Sequence, residues 1–190
     1  MFHYRKAVEE GTAIIIVPTP AECAHFNNLL HSEAVADRTY LGESTAVVRL
    51  ASNMMACAGE PVAWLHTDLR FNCLQGMHAQ IDTILPGQHP ADKGFDCVIV
   101  KLDDDSRVTL SKVQSQHLAL AYAVPLQGAI LGAWDTVIVA CHPGKSASPD
   151  WVESCARLAT SQTICISHPN STTSRFDEGI NAGAHHETKR

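Results

Sequence analysis

The residues best suited to chemistry stand together in His142-Pro143-Gly144-Lys145-Ser146, between an apolar run and a helical pattern. In that setting a GxxxxGK[ST] loop wraps phosphate oxygens with backbone N–H groups and one lysine. Its first glycine would fall at position 139, which is Val139 inside the apolar run. The loop is too short to encircle a phosphate, and we read it as a surface turn feeding a capped helix. Asp103, Asp104 and Asp105 are consecutive carboxylates in a turn between strand patterns, where solvent is the usual partner and a metal lacks convergent ligands. Seven cysteines (Cys23, Cys57, Cys73, Cys97, Cys141, Cys155, Cys165) form no CxxC pair and are odd in number. They are expected to be reduced and mostly buried, and not a disulfide framework or a structural zinc site. The eleven histidines offer no HExxH and no HxH with a carboxylate or cysteine partner, and no GxSxG elbow is present, so no metal is expected.

The elements that would position these residues alternate in kind. Residues 2 to 10 suit a short helix ending at Gly11, and residues 13 to 17 (AIIIV) read as a strand covered on both faces. Thr19 is a good N-cap, Pro20 fits the first helical position and Glu22 completes a capping box; Cys23, Phe26 and Leu30 then recur at helical spacing. The middle changes character. Short strand patterns occur at residues 46–50, 61–66, 77–85, 95–102 and 107–110, punctuated by turn residues such as LPGQHPADKG at 85–94. Alternation then returns, with strands at 117–124 and 135–140 (DTVIVA), a helix over 149–159 capped by Ser148, and a strand at 163–167 (TICIS). The expectation is an α/β domain interrupted by a small β unit, its strands 13–17, 135–140 and 163–167 sharing one parallel sheet. The tail from residue 170 reads as mobile.

Composition bounds the partners. With 45% hydrophobic and 18% charged residues the chain has a globular profile. A formal net charge of -6 argues against tight binding to a phosphate backbone, since that affinity comes largely from lysine and arginine releasing counterions. A local basic patch is compatible with it. No apolar run has membrane-span length and the N-terminus MFHYRKAVEEG has no signal-peptide core, so the expected location is cytoplasmic.

Several stretches in order resemble the C-terminal RecA-like domain, with its inserted β-barrel, of superfamily 1 helicases of the RecD and TraI/TraA (conjugative relaxase) type. The resemblance spans roughly residues 5 to 168. "IIIVPTPAECAHFNNLL" is similar to the family's strand, PT and helix, with Asn27 at its asparagine. "VVRLASNMMACAGEPVAWLHTDLRFNCLQGMHAQIDTI" looks like its barrel, with Gly59-Glu60, Thr67-Asp68 and Gln75-Gly76 in place of GD, ND and NG. In the family an A-Y-A-[IV]-T-x-H-K-[SA]-Q-G-x-x-x-D segment contacts DNA and couples it to ATP hydrolysis. Residues 121 to 135 read AYAVPLQGAILGAWD, keeping Ala121, Tyr122, Ala123, Val124, Trp134 and Asp135. Pro125, Gln127, Gly128, Ala129, Ile130 and Leu131 replace the family's Thr, His, Lys, Ser, Gln and Gly. "DWVESCARLATSQTICI" resembles the segment carrying the family's arginine finger, on which Arg157 falls, with Ala159 at the following alanine.

What the resemblance implies is an α/β chain with a RecA-like parallel sheet (residues 1–50 and 113–169), an inserted small SH3-like β-barrel (51–112) and the tail 170–190. A motor needs a cation and an amide at fixed places, and neither Gly128 nor Ile130 supplies one. The expected function is that of a degenerate helicase C-terminal domain that binds DNA or docks in conjugation or DNA processing, without motor activity. Two alternatives stay open: a functionless remnant of a mobile-element gene, and a helicase half completed by another chain. Only in the last would ATP and Mg be cofactors; otherwise none is expected. The partners implied are single-stranded DNA and a relaxase, helicase subunit or transfer apparatus. Contacts would come from Thr19, Asn27, Gln75 and Arg157, the last alternatively a solvated or salt-bridged helix residue and a vestigial arginine finger at most. Trp64 is either a stacking platform for unpaired bases or a residue of the barrel core.

Overall fold

The computed structural model describes residues 2–40, 46–85, 87, 97–141 and 148–167. The turn carrying Lys145, most of the 85–94 connection and the tail from residue 170 lie outside the described residues. In chain order the elements are α1 (Phe2–Glu10), β1 (Ala13–Ile16), α2 (Pro20–Tyr40), β2 (Val47–Arg49), β3 (Met55–Cys57), β4 (Pro61–Trp64), β5 (His78–Leu85), β6 (Cys97–Leu102), β7 (Arg107–Ser111), β8 (Leu118–Leu120), β9 (Ala123–Val124), α3 (Leu126–Ala129), β10 (Trp134–Cys141), α4 (Pro149–Ala156) and β11 (Ala159–Ser167).

A parallel sheet in the order β11-β10-β1-β9 forms the frame. It unites the three segments expected to share a sheet. All four β1 residues are buried, because the sheet is covered on both faces. Ala13, Ile15 and Val17 pack with Tyr4 and Ala7 of α1 and Leu30 of α2, while Ile14 and Ile16 pack with Val137, Val139 and Cys155 of α4. The middle of the chain makes an antiparallel sheet in the order β7-β6-β5-β4-β8 and a separate β2-β3 ribbon. Its inward residues, among them Val62, Trp64, Ile81, Val100, Leu110 and Leu118, belong to the same hydrophobic cluster as Ile15, Val17 and Ala123. The core is therefore continuous between the two sheets. No helix of the described residues is long and apolar enough to cross a membrane.

Three local expectations change. The strand expected over 117–124 is two strands: β8 pairs with β4 in the antiparallel sheet, and β9 pairs with β1 in the parallel one. β3 and its pairing with β2 are additional. The helix expected to 159 ends at Ala156, where the Arg157 N–H bonds back to Glu153 and Cys155, and β11 starts at Ala159. Of the two readings of Trp64, the core one holds: the residue is 2% exposed.

Candidate nucleic-acid interface

The segment 121–135 holds the position its frame residues imply. β9 lies beside β1, Pro125 opens the single turn α3, and β10 returns as the neighbouring strand on the other side of β1. The replaced positions are tied down by their backbone. His78, from β5 of the antiparallel sheet, places Nε2 2.8 Å from the Gly128 carbonyl, and Trp134 Nε1 donates to the Ala129 carbonyl at 3.0 Å. The two rings meet edge to face at 4.7 Å. Burial pushes the His78 imidazole below its ordinary value, opposed by the Gly128 carbonyl and the Asp103 carboxylate. A neutral ring that donates through Nε2 fits this setting. A Cβ on residue 128 would meet Val124 Cβ at 3.2 Å, so a side chain there requires Val124 to give slightly. Ile130 and Leu131 face solvent as an apolar pair in place of the family's Gln and Gly.

The four residues named from the resemblance do not converge. Thr19 caps α2: its hydroxyl donates to Glu22 Oε2 at 2.6 Å and accepts from the Glu22 N–H at 3.2 Å. Asn27 is buried, and its amide is fully engaged with backbone; Nδ2 donates to the carbonyls of Leu120 and Ala123 at 3.1 and 3.0 Å, and Oδ1 accepts from the Ala123 N–H at 2.9 Å. That amide bolts α2 to the β8–β9 junction and leaves nothing for a phosphate or sugar. Gln75 is exposed on the β4–β5 loop, where Gly76 (φ 83°) turns the chain toward Leu131. Arg157 is exposed and paired with Glu153 Oε1 at 2.6 Å, the salt-bridged alternative of the two readings. Thr19 follows the C-terminal end of β1, whereas Arg157 precedes the N-terminal end of β11. Parallel strands put those ends at opposite ends of the sheet, separated along β10 by the run from Trp134 to Val139, roughly 17 Å at about 3.3 Å per residue.

Most described cations are paired: Arg5 with Glu33 and Asp37, Lys6 with Glu10, Arg70 with Asp68, Lys101 with Asp105 and Arg107 with Asp82. The Asp103–Asp105 turn is closed the same way, since Asp104 accepts from the Ser106 N–H and hydroxyl. Arg49 and Lys112 differ. Both are exposed, neither has a carboxylate within 4.0 Å among the described residues, and Ser115 Oγ lies 2.9 Å from the Arg49 carbonyl and 2.8 Å from that of Lys112. The Ser115 hydroxyl thus ties together the backbones of two exposed cations that are distant in the chain, an approach that sequence reasoning missed because only the fold creates it.

A second polar grouping sits on the inner side of α2. Glu60 is 1% exposed, and its carboxylate accepts from the Cys57 N–H (2.6 Å), the Cys57 thiol (3.2 Å) and the Tyr122 hydroxyl (2.9 Å), with His31 Nδ1 at 2.8 Å. Burial and the Glu60 charge push the Cys57 thiol up to about 11 and hold the Tyr122 phenol protonated well above its usual range. Cys57 is thus a hydrogen-bond donor here and not a nucleophile.

Thr19 is committed to its cap, the side chains of Gly128 and Ile130 carry neither charge nor amide, and Arg157 lies at the opposite end of the parallel strands from Thr19.

No protein-family model and no curated protein matches the chain. Solved structures do. The chain is similar to Pif1 helicase from Candida albicans, with TM-score 0.54 and 12% identity over 80% of this chain and 44% of that one. It is similar to Bacteroides Pif1 helicase in complex with ADP-AlF3 and ssDNA, with TM-score 0.50 and 15% identity over 84% and 41%. A third likeness is to the Pif1 helicases of a study of DNA unwinding at forked dsDNA, with TM-score 0.51 and 14% identity over 81% and 39%. The likeness is one of fold, and the chain spans about two fifths of the helicases it matches. It does not single out the RecD/TraI branch.

Proposed function

We propose that the chain is a degenerate helicase C-terminal domain of the RecD/TraI kind that acts in the cytoplasm as a DNA-binding or docking module for conjugation or DNA processing, without motor activity. The observation that carries this reading is the state of segment 121–135. Its strands keep their places beside β1, while its turn presents Gly128, Ala129, Ile130 and Leu131 and has its carbonyls engaged by His78 and Trp134. We read residues 51–112 as an inserted SH3-like barrel, with β8 of the flanking part pairing onto its edge strand β4. The β8-β4-β5-β6-β7 order and the short 3-10 turn Gln114–His117 ahead of the last strand support that reading. Residues 1–50 and 113–169 then form the RecA-like part. Single-stranded DNA is the proposed ligand, held chiefly by Arg49 and Lys112, and a relaxase or helicase subunit the proposed protein partner.

Two cations release few counterions, so binding is expected to be weak, with a salt slope near -1.4 at about -0.7 per phosphate. Fluorescence anisotropy with a labelled oligonucleotide at two salt concentrations tests it, with the Arg49→Ala/Lys112→Ala variant as control. No binding at tens of micromolar protein in low salt would remove the DNA half of the proposal. ATP turnover is expected to be absent with or without single-stranded DNA. A DNA-stimulated rate above roughly 1 s⁻¹ that vanished on Lys145→Ala would overturn the non-motor half.

A further inference from the structure

Of the four donors around Glu60, two are fixed and two are exchangeable. The Cys57 N–H and the Tyr122 hydroxyl hold the carboxylate in place, one on each oxygen. The Cys57 thiol and His31 Nδ1 occupy the remaining lone pairs, and both are atoms that bind metals once a proton is lost or moved to the other ring nitrogen. His31 Nδ1, Cys57 Sγ and a Glu60 oxygen all lie within 4.8 Å of one another. Among the described residues this is the grouping of three such donors.

The local backbone is built for it. Cys57 and Glu60 are the first and last residues of a tight turn, Cys57-Ala58-Gly59-Glu60, in which Gly59 takes φ 83° and the Glu60 N–H returns to the Cys57 carbonyl at 3.3 Å. Two ligands three positions apart on a turn, joined by a histidine from a helix, is an arrangement that tetrahedral zinc accepts. His31 projects from the face of α2 that also carries Cys23 and Asn27, one helical turn apart each, and Asn27 fixes that face against the β8–β9 junction. A thiolate and a carboxylate together would balance a divalent cation in this buried setting beside Ala56 and Val62. Arg38, whose Nη2 lies 2.6 Å from where a Cβ on Gly59 would stand, is the competing source of positive charge.

We propose that His31, Cys57 and Glu60 bind a divalent cation of the zinc class, with Tyr122 orienting the carboxylate. Binding forms metal–sulfur, metal–nitrogen and metal–oxygen bonds and releases the thiol proton to solvent, with no change of oxidation state. The site is independent of the DNA-binding proposal.

Cobalt(II), titrated into the reduced, purified full chain, reads the site directly. A tetrahedral spectrum with a thiolate-to-cobalt charge-transfer band is expected, displaced by zinc. Cys57→Ser should abolish the charge-transfer band, and His31→Ala and Glu60→Gln should each weaken binding at least ten-fold. Zinc should raise the thermal midpoint of the wild type but not of His31→Ala, a half-buried position that spares the fold if Cys57→Ser does not fold. Absence of a charge-transfer band, or one unchanged in Cys57→Ser or His31→Ala, would overturn the proposal and leave Glu60 countered by His31 and Arg38 alone.

Discussion

Asn27 is a residue whose importance is visible from its neighbours in the chain and whose role is not. The resemblance marks the position as a polar contact, yet its partners lie 93 and 96 residues away. Nothing local in sequence reveals that both ends of the amide turn inward. Asn27→Ala strands a buried N–H and two carbonyls and is expected to lower stability by about 2–3 kcal/mol, read as a lower urea midpoint at unchanged m-value. A loss under about 0.5 kcal/mol would mean water reaches those groups and would return the residue to the surface roles first considered. His78 makes a pH prediction of definite sign. Its folded-state value is depressed, so below the ordinary value of 6.5 the unfolded chain binds more protons than the folded one. Stability should therefore be intact above that pH and fall as the pH drops through the folded value. In His78→Gln, which keeps a donor for the Gly128 carbonyl, the fall below about pH 6.5 should be shallower; equal slopes would show the imidazole to be solvated.

Among the elements, legibility follows how local the determining interaction is. The caps were readable because a capping box is complete within four residues, and Thr19 and Glu22 close it as expected. Thr19→Ala should cost about 1 kcal/mol and leave any DNA affinity unchanged; a lowered affinity at equal stability would instead make the hydroxyl a ligand contact. The buried strands β1 and β10 were readable from unbroken β-branched runs. The split between β8 and β9 was not, because residues 118–124 (LALAYAV) are apolar throughout and pattern alone cannot say that two sheets divide them. The three-residue β3 and the early end of α4 fall below what periodicity resolves. The candidate site was the least legible, since Arg49 meets Lys112, and His31 meets Glu60, only after long loops close.

On the scale of the whole molecule, one hydrophobic cluster runs from α1 through the parallel sheet into the antiparallel one, and Asn27, His78 and Tyr122 cross the same boundary with hydrogen bonds. The two sheets should therefore unfold together. Tryptophan fluorescence separates them, because Trp64 reports on the antiparallel sheet and Trp134 on the parallel one. In a Trp151→Phe background, Trp64→Phe and Trp134→Phe each leave one tryptophan, and the two signals should give coincident urea transitions; midpoints that separate would mean the antiparallel sheet is an autonomous unit.

The junction between β8 and β9 carries a mechanical meaning. The Ala121 N–H bonds to the Pro61 carbonyl in the antiparallel sheet, and the Tyr122 carbonyl accepts from the Ile15 N–H in the parallel one, so the chain passes from one sheet to the other across a single peptide link. A displacement of the antiparallel sheet at Pro61 is therefore expected to reach β1 through one peptide unit, with no loop between the two sheets to absorb it.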